Sequence, residues 1–248
     1  MESGEFILKE EDVVYLDNHL LVVNKPPGLL VQPDKEGNAS LEEAAKSWLK
    51  LKFNKPGNVF ATACHRLDRP VGGLVVLART SKALARMNAL FQARSIRKIY
   101  LALVAGNPEQ KASLRHWIKK NEVTNKVRVY TYQRGDAKQA DLSYTLLQAG
   151  GGKSLLLVRL FTGRHHQIRA QLGFSVLPIL GDAKYGQMSS ADASICLCSY
   201  AMEFVHPVSG ETLCIAGAIP RSGSWAGFEA PDEASLNAVF REPDPAAS

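Results

Sequence analysis

The sequence predicts an α+β fold built on a mixed, largely antiparallel sheet with flanking helices. Three observations carry this. Strand-like runs follow one another without helices between them, Gly150-Gly151-Gly152 separates two apolar runs as a hairpin would, and only three segments space their apolar residues helically.

The first helix opens at Ser40-Leu41-Glu42-Glu43, a capping-box pattern, and Leu41, Ala44, Ala45, Trp48 and Leu49 then recur at helical spacing. Thr80-Ser81 opens the second, whose apolar stripe is Leu84, Met87, Leu90 and Phe91. A third, shorter helix is expected over 165–172, with Gly173 stopping it in a left-handed cap. Strands are expected over 74–78, 100–105 and 127–132, and the hairpin joins 142–147 to 155–161. The chain reads as one catalytic domain over 1–228, followed by an acidic, Pro- and Ala-rich flexible tail over 229–248.

Composition narrows the class of protein. Apolar residues make up 46% and charged residues 22%, an ordinary globular balance. No apolar run reaches the roughly 18–20 residues that a membrane span needs. Residues 1–5 lack a secretory signal pattern, and Cys64, Cys196, Cys198 and Cys214 include no Cys-x-x-Cys pair. The expectation is a cytoplasmic protein with free thiols, no membrane partner and no obligate protein partner.

Charge is segregated along the chain. Seven basic residues and no acidic one lie between Arg69 and Pro108, and 142–181 is also free of acid while carrying Lys153, Arg159, Arg164 and Arg169. Such segregation suits a polyanion, because each neutralised phosphate releases counterions, but it also describes a solvated basic face.

The densest chemical signal is Cys64-His65-Arg66-Leu67-Asp68-Arg69-Pro70-Val71-Gly72-Gly73. Asp68 stands between two arginines, and a nearby guanidinium favours a carboxylate available as nucleophile or base. In Thr162-Gly163-Arg164-His165-His166-Gln167-Ile168-Arg169, Arg164 falls near a helix start that favours anions. His166 and Arg169 are expected on one helical face. Adjacent histidines on a helix point about 100° apart, which argues against a metal site. The rigid turn Asn24-Lys25-Pro26-Pro27-Gly28 can present Asn24 and Lys25, and Tyr100 can stack on a base or simply belong to the core. Walker, Gly-x-Gly-x-x-Gly and Gly-x-Ser-x-Gly patterns are absent, which removes support for nucleotide-cofactor and serine-hydrolase readings.

Together these segments resemble the RluA-type family of RNA pseudouridine synthases, in the form without an N-terminal S4-like domain. Asn24–Gly28 with Val31-Gln32-Pro33 is similar to its first motif, and His65-Arg66-Leu67-Asp68-Arg69 to its catalytic one. Lys98–Gly106 resembles the tyrosine motif, and Gly163–Arg169 with Pro178–Asp182 and Tyr185-Gly186 the last. Gln32, Gly72 and Val176 depart from that pattern, where histidine, serine and glycine are usual.

The resemblance implies two lobes around an RNA-binding cleft and a cofactor-free, metal-free isomerisation of uridine in transfer or ribosomal RNA. It implies Asp68, Tyr100 and Arg164 as catalytic residues. Substrate contacts are then expected from Arg66, His65, Asn24, Lys25, His166, Gln167 and Arg169. In this reading Asp68 starts the reaction, Arg164 pairs with it, Tyr100 stacks on the uracil, and Arg66 fills the gap left by the flipped base. Two rivals stand beside it: an RNA-binding protein without catalysis, and a glycosidic hydrolase pairing Asp68 with Asp182.

Overall fold

The computed structural model describes residues 6–186 and 194–243. Along the chain the elements are β1 (Val13–Leu16), β2 (Leu20–Lys25), α1 (Leu41–Lys52), β3 (Thr62–Ala63), β4 (Gly72–Ala78), α2 (Ser81–Gln92) and β5 (Arg97–Ala105). They continue with β6 (Lys111–Asn121), β7 (Lys126–Tyr130), β8 (Lys138–Gly150), β9 (Lys153–Leu160), α3 (Gln167–Phe174), β10 (Leu197–Val205), β11 (Thr212–Ala216) and α4 (Glu233–Phe240). The chain forms two compact units, one from Met1–Ile96 and Ser199–Ala218, the other from Arg97–Cys198 and Ile219–Ser248. The architecture is α+β, with a mixed, largely antiparallel sheet and few helices, as the sequence predicts.

In the first unit the strand order is β1-β2-β4-β10, with β3 added on β4 and β11 on β10. Every residue of β4 is buried, which its uninterrupted apolar run requires. Alternate residues serve opposite faces. Val75 and Leu77 join Leu21 and Val23 beneath α1, against Leu41, Ala45 and Leu49. Leu74, Val76 and Ala78 join Leu20 and Val22 on the other face, against Ala83 and Met87 of α2.

Both of these helices begin where their caps predict. Ser40 accepts from the Glu43 amide, and Thr80 accepts from the Ala83 amide. Glu42 is buried, and its carboxylate accepts from the Ala63 amide at 2.8 Å and from Gln32 at 3.1 Å. Gln32, one of the departures from the family pattern, therefore secures the start of α1.

In the second unit the order is β5-β9-β8-β6-β7, all antiparallel. The β8–β9 hairpin turns at Gly151 and Gly152, both with positive φ, as the glycine run predicts. Helix α3 differs from expectation at both ends. It starts at Gln167, because His166 is left-handed (φ 50°) and stands outside it as the N-cap. Gly173 lies within the helix, where a Cβ would come within 2.8 Å of the Tyr185 carbonyl oxygen. The left-handed terminating residue is Val176 (φ 61°). The Leu177 amide bonds the Leu172 carbonyl at 2.9 Å, and the Val176 amide bonds that of Gly173 at 3.4 Å. This is a Schellman closure with valine where glycine is usual.

The expected tail over 229–248 contains an ordered element. Helix α4 lies inside it, capped by Asp232, which accepts from the Ser235 amide at 2.8 Å. Leu236, Val239 and Phe240, spaced three and four apart, bury one face. Buried Arg159 of β9 donates to the carbonyls of Val239 and Glu242, which ties the helix to the second unit. Arg159 thus leaves the set of basic side chains offered to a polyanion.

Candidate active site

Asp68 lies on the loop between β3 and β4, half-buried, and the loop is held from below by the turn that follows β2. The Gly28 amide donates to the Arg69 carbonyl at 2.8 Å, and Arg69 Nε returns a bond to the Gly28 carbonyl at 3.0 Å. The Val71 amide closes a turn on the Asp68 carbonyl at 2.9 Å. Gly28 adopts φ 86°, a conformation suited to glycine. The proline-glycine turn at 26–28 and the Asp68 loop are therefore two halves of one hydrogen-bonded platform.

Lys25 completes that platform. It is 1% exposed, and its ammonium donates to the carbonyls of Pro26 and Leu29 at 2.9 Å each and to that of Arg69 at 3.4 Å. Its buried charge secures the Asp68 loop through three carbonyl dipoles. His65 is likewise engaged inward. Its Nε2 accepts from the Val76 amide at 3.1 Å, and its ring packs on Phe91 with centroids 4.9 Å apart. Asn24 is half-buried on β2, and Arg66 is exposed on the Asp68 loop.

In the second unit the segment 162–169 is organised around Gln167, which is buried. Its carbonyl oxygen accepts from the Thr162 hydroxyl at 2.8 Å and the Arg164 amide at 3.0 Å, while its amide nitrogen donates to the Asp141 carbonyl at 3.1 Å. Arg164 Nε reaches the Gln139 carbonyl at 3.3 Å. Gln167 fixes the backbone that carries Arg164.

His165 and His166 stack with ring centroids 3.8 Å apart, a geometry available because His166 is not helical. His165 Nε2 meets the Asn125 side chain at 3.0 Å, and His166 Nδ1 meets the Tyr185 hydroxyl at 2.8 Å. That hydroxyl also accepts from the Val127 amide at 2.8 Å, so it joins His166 to β7.

Arg169 faces inward too. It binds Asp182 through two bonds and lies over the Tyr185 ring at 5.4 Å. Arg169 is therefore a support for this segment. Burial alone would raise the Asp182 pKa. The Arg169 guanidinium and the amides of Lys184 and Tyr185 outweigh it and hold the carboxyl below its usual range. Buried and bonded to a guanidinium and two amides, the Asp182 carboxylate is engaged by its own segment. Sequence reasoning gave Tyr185 and Asn125 no role. Their signals were the resemblance of Tyr185-Gly186 to the family's last motif and a polar loop after β6.

Tyr100 lies on β5 opposite Val158, largely buried. Lys98, two residues earlier on the same face, brings its ammonium close to Gly163. The strand thus aims Tyr100 to the side on which the Arg164 segment lies.

Comparison with known proteins bears on this arrangement. A family model described as RNA pseudouridylate synthase matches residues 19–173. The ribosomal large subunit pseudouridine synthase D of Zymomonas mobilis is 31% identical over 85% of this chain and 69% of its own length. An uncharacterized RNA pseudouridine synthase of Chloroflexus aurantiacus is 36% identical over 88% of this chain and 65% of its own. Among solved structures, human RNA Pseudouridylate Synthase Domain Containing 1 superposes with a TM-score of 0.74, at 22% identity, over 94% of this chain and 96% of that one. At that identity the likeness is one of fold.

Proposed function

The chain belongs to the RNA pseudouridylate synthase family, and we propose on that footing that it isomerises uridine to pseudouridine in large-subunit ribosomal RNA. The isomerisation breaks the bond from ribose C1′ to uracil N1 and joins C1′ to C5; the C5 proton leaves to solvent and N1 takes up a proton in its place. The observation that supports it best is the platform under Asp68. A carboxylate needed at one place in the reaction sits on a loop held by the Lys25 ammonium and by paired bonds between Gly28 and Arg69.

In this proposal Asp68 is the catalytic carboxylate and Arg164 its positive partner. Tyr100 stacks on the uracil and keeps the detached ring in place while it turns. Arg66, exposed two residues from Asp68, occupies the space vacated by the flipped base, whose unstacking costs a few kcal/mol. Ribosomal rather than transfer RNA is favoured by the name of the Zymomonas relative.

The test is tritium release from ribosomal and transfer RNA labelled at uracil C5. Release from ribosomal RNA by the wild-type protein, lost in Asp68→Asn while RNA affinity is retained, is the expected result. Release by Asp68→Asn would remove the carboxylate from the mechanism. Release from transfer RNA alone would correct the substrate.

A further inference from the structure

The two-stranded ribbon of β6 and β7 has two unlike faces. Directly opposed residues share a face, and successive pairs alternate. Ile118 opposite Val129 and Lys120 opposite Val127 make one face, and its Ile118, Val127 and Val129 pack with Ala140 and with Ala170 of α3. The other face carries Trp117 opposite Tyr130, Lys119 opposite Arg128, and Asn121 opposite Lys126. Lys119, Lys126 and Arg128 are exposed, and the two rings are half-buried. Beyond the ribbon's end Arg134 lies over the Tyr130 ring at 5.4 Å, and Tyr132 is 61% exposed.

Charge is concentrated here to an unusual degree. From Lys111 to Lys138 there are eight basic side chains and two acidic ones, an excess equal to the +6 of the whole chain. The two acids are paired, Asp136 with Lys119 and Glu122 with Lys120, each at 2.5 Å. Those pairs are exposed and hold little energy against exchange for another anion. Arg115, further along the same face, is bound to Asp141.

We propose that this outer face is a binding surface for unpaired nucleotides of the RNA substrate, an inference that rests on the RNA-modifying reading above. Aromatic rings flanked by cations on an open ribbon match single strands. Exposed bases stack on the rings while the phosphates meet Lys119, Lys126 and Arg128. A duplex keeps its base faces stacked internally and leaves the rings unused.

The experiment measures binding of an unstructured oligouridylate and of an RNA duplex of equal length, from low to moderate salt. Wild type is compared with Lys126→Ala/Arg128→Ala and with Lys126→Arg/Arg128→Lys. Both positions are exposed, and an unchanged thermal midpoint confirms that the variants fold. The alanine pair is expected to weaken oligouridylate binding roughly tenfold and to lower the salt slope by about 1.4, near 0.7 per lost phosphate contact. The charge-conserving pair should restore both.

Unchanged affinity and slope in the alanine pair, with wild type active on RNA, would overturn the ribbon surface alone. A loss confined to the duplex would overturn the unpaired occupant. A wild-type protein that neither binds RNA nor releases C5 tritium would overturn the functional reading itself.

Discussion

Arg169 and Asp182 form a two-point ion pair, with guanidinium Nε and Nη2 each 2.8 Å from a different carboxylate oxygen. Both side chains are buried, and the carboxylate also accepts from the Lys184 amide at 2.9 Å and the Tyr185 amide at 3.2 Å. The pair fixes the polar turn whose Tyr185 hydroxyl reaches His166 and β7.

Removing one partner strands the other charge. Arg169→Ala is expected to lose about 3–5 kcal/mol in urea unfolding. The pH dependence has a definite sign. A carboxyl whose folded pKa is depressed stabilises the fold above its unfolded value, near 3.8, and that stability falls away as pH drops through the lower folded value. Wild type should therefore lose stability more steeply below pH 3.8 than Asp182→Asn does. Parallel pH profiles would deny the pair this role.

Lys25→Met removes an ammonium from three carbonyls while keeping most of the side-chain volume. A loss of about 3 kcal/mol is expected from the unsatisfied buried acceptors. Because Arg69 is one of the three, the Asp68 loop loosens, and turnover should fall further than RNA affinity. Equal losses in both would mark Lys25 as a substrate contact after all.

Gly73 has φ 107°, and a Cβ there would come within 2.2 Å of the Ser199 carbonyl oxygen and 2.5 Å of its nitrogen. Neither backbone atom can yield cheaply. Gly73→Ala is expected to cost on the order of 3–4 kcal/mol, read as a fall in urea midpoint with little change in slope. A midpoint within error of wild type would mean that β4 and β10 separate more easily than their packing implies.

Val176 offers the opposite change. A β-branched side chain in the left-handed region costs roughly 1–2 kcal/mol, and this one is 82% exposed, so little packing repays it. Val176→Gly should raise stability by about 1 kcal/mol, the residual after glycine's greater unfolded-state entropy. No gain would indicate that the valine methyls make contacts worth as much as the strain.

What could be read from the chain divides along physical lines. Helices α1 and α2 were legible because Ser40 and Thr80 advertise their caps and the apolar residues behind them keep helical spacing. Strand β4 was legible because burial on both faces demands an unbroken apolar run. Strand β6 was not, since half its residues face solvent as lysine, arginine or serine and dilute the pattern. Helix α4 hid behind the composition of its neighbourhood, although the Asp232 cap and the spacing of Leu236, Val239 and Phe240 were its signature. Gly173 does not signal the end of α3, because glycine serves close approach as readily as a left-handed turn.

At the site, residue type showed which side chains carry charge or hydrogen-bonding capacity. It did not show which way they face. The bonds that Lys25, His65, Gln167 and Arg169 make to the chain's own carbonyls, amides and carboxylate come from residues far from them in sequence or from backbone that residue type does not specify. Tyr185 went unassigned because its partners, Val127 and His166, are 58 and 19 residues away.

The concentration of positive charge on one ribbon has a consequence for encounter. Setting aside the eight basic and two acidic side chains from Lys111 to Lys138, the remaining chain carries twenty-two of each sign and is electrically balanced. A polyanion would exert a torque on such a molecule as well as an attraction, so the RNA proposed above would draw the ribbon round before any contact forms. Added salt would then slow association by shortening the range over which that turning operates, even for a protein whose total charge is modest.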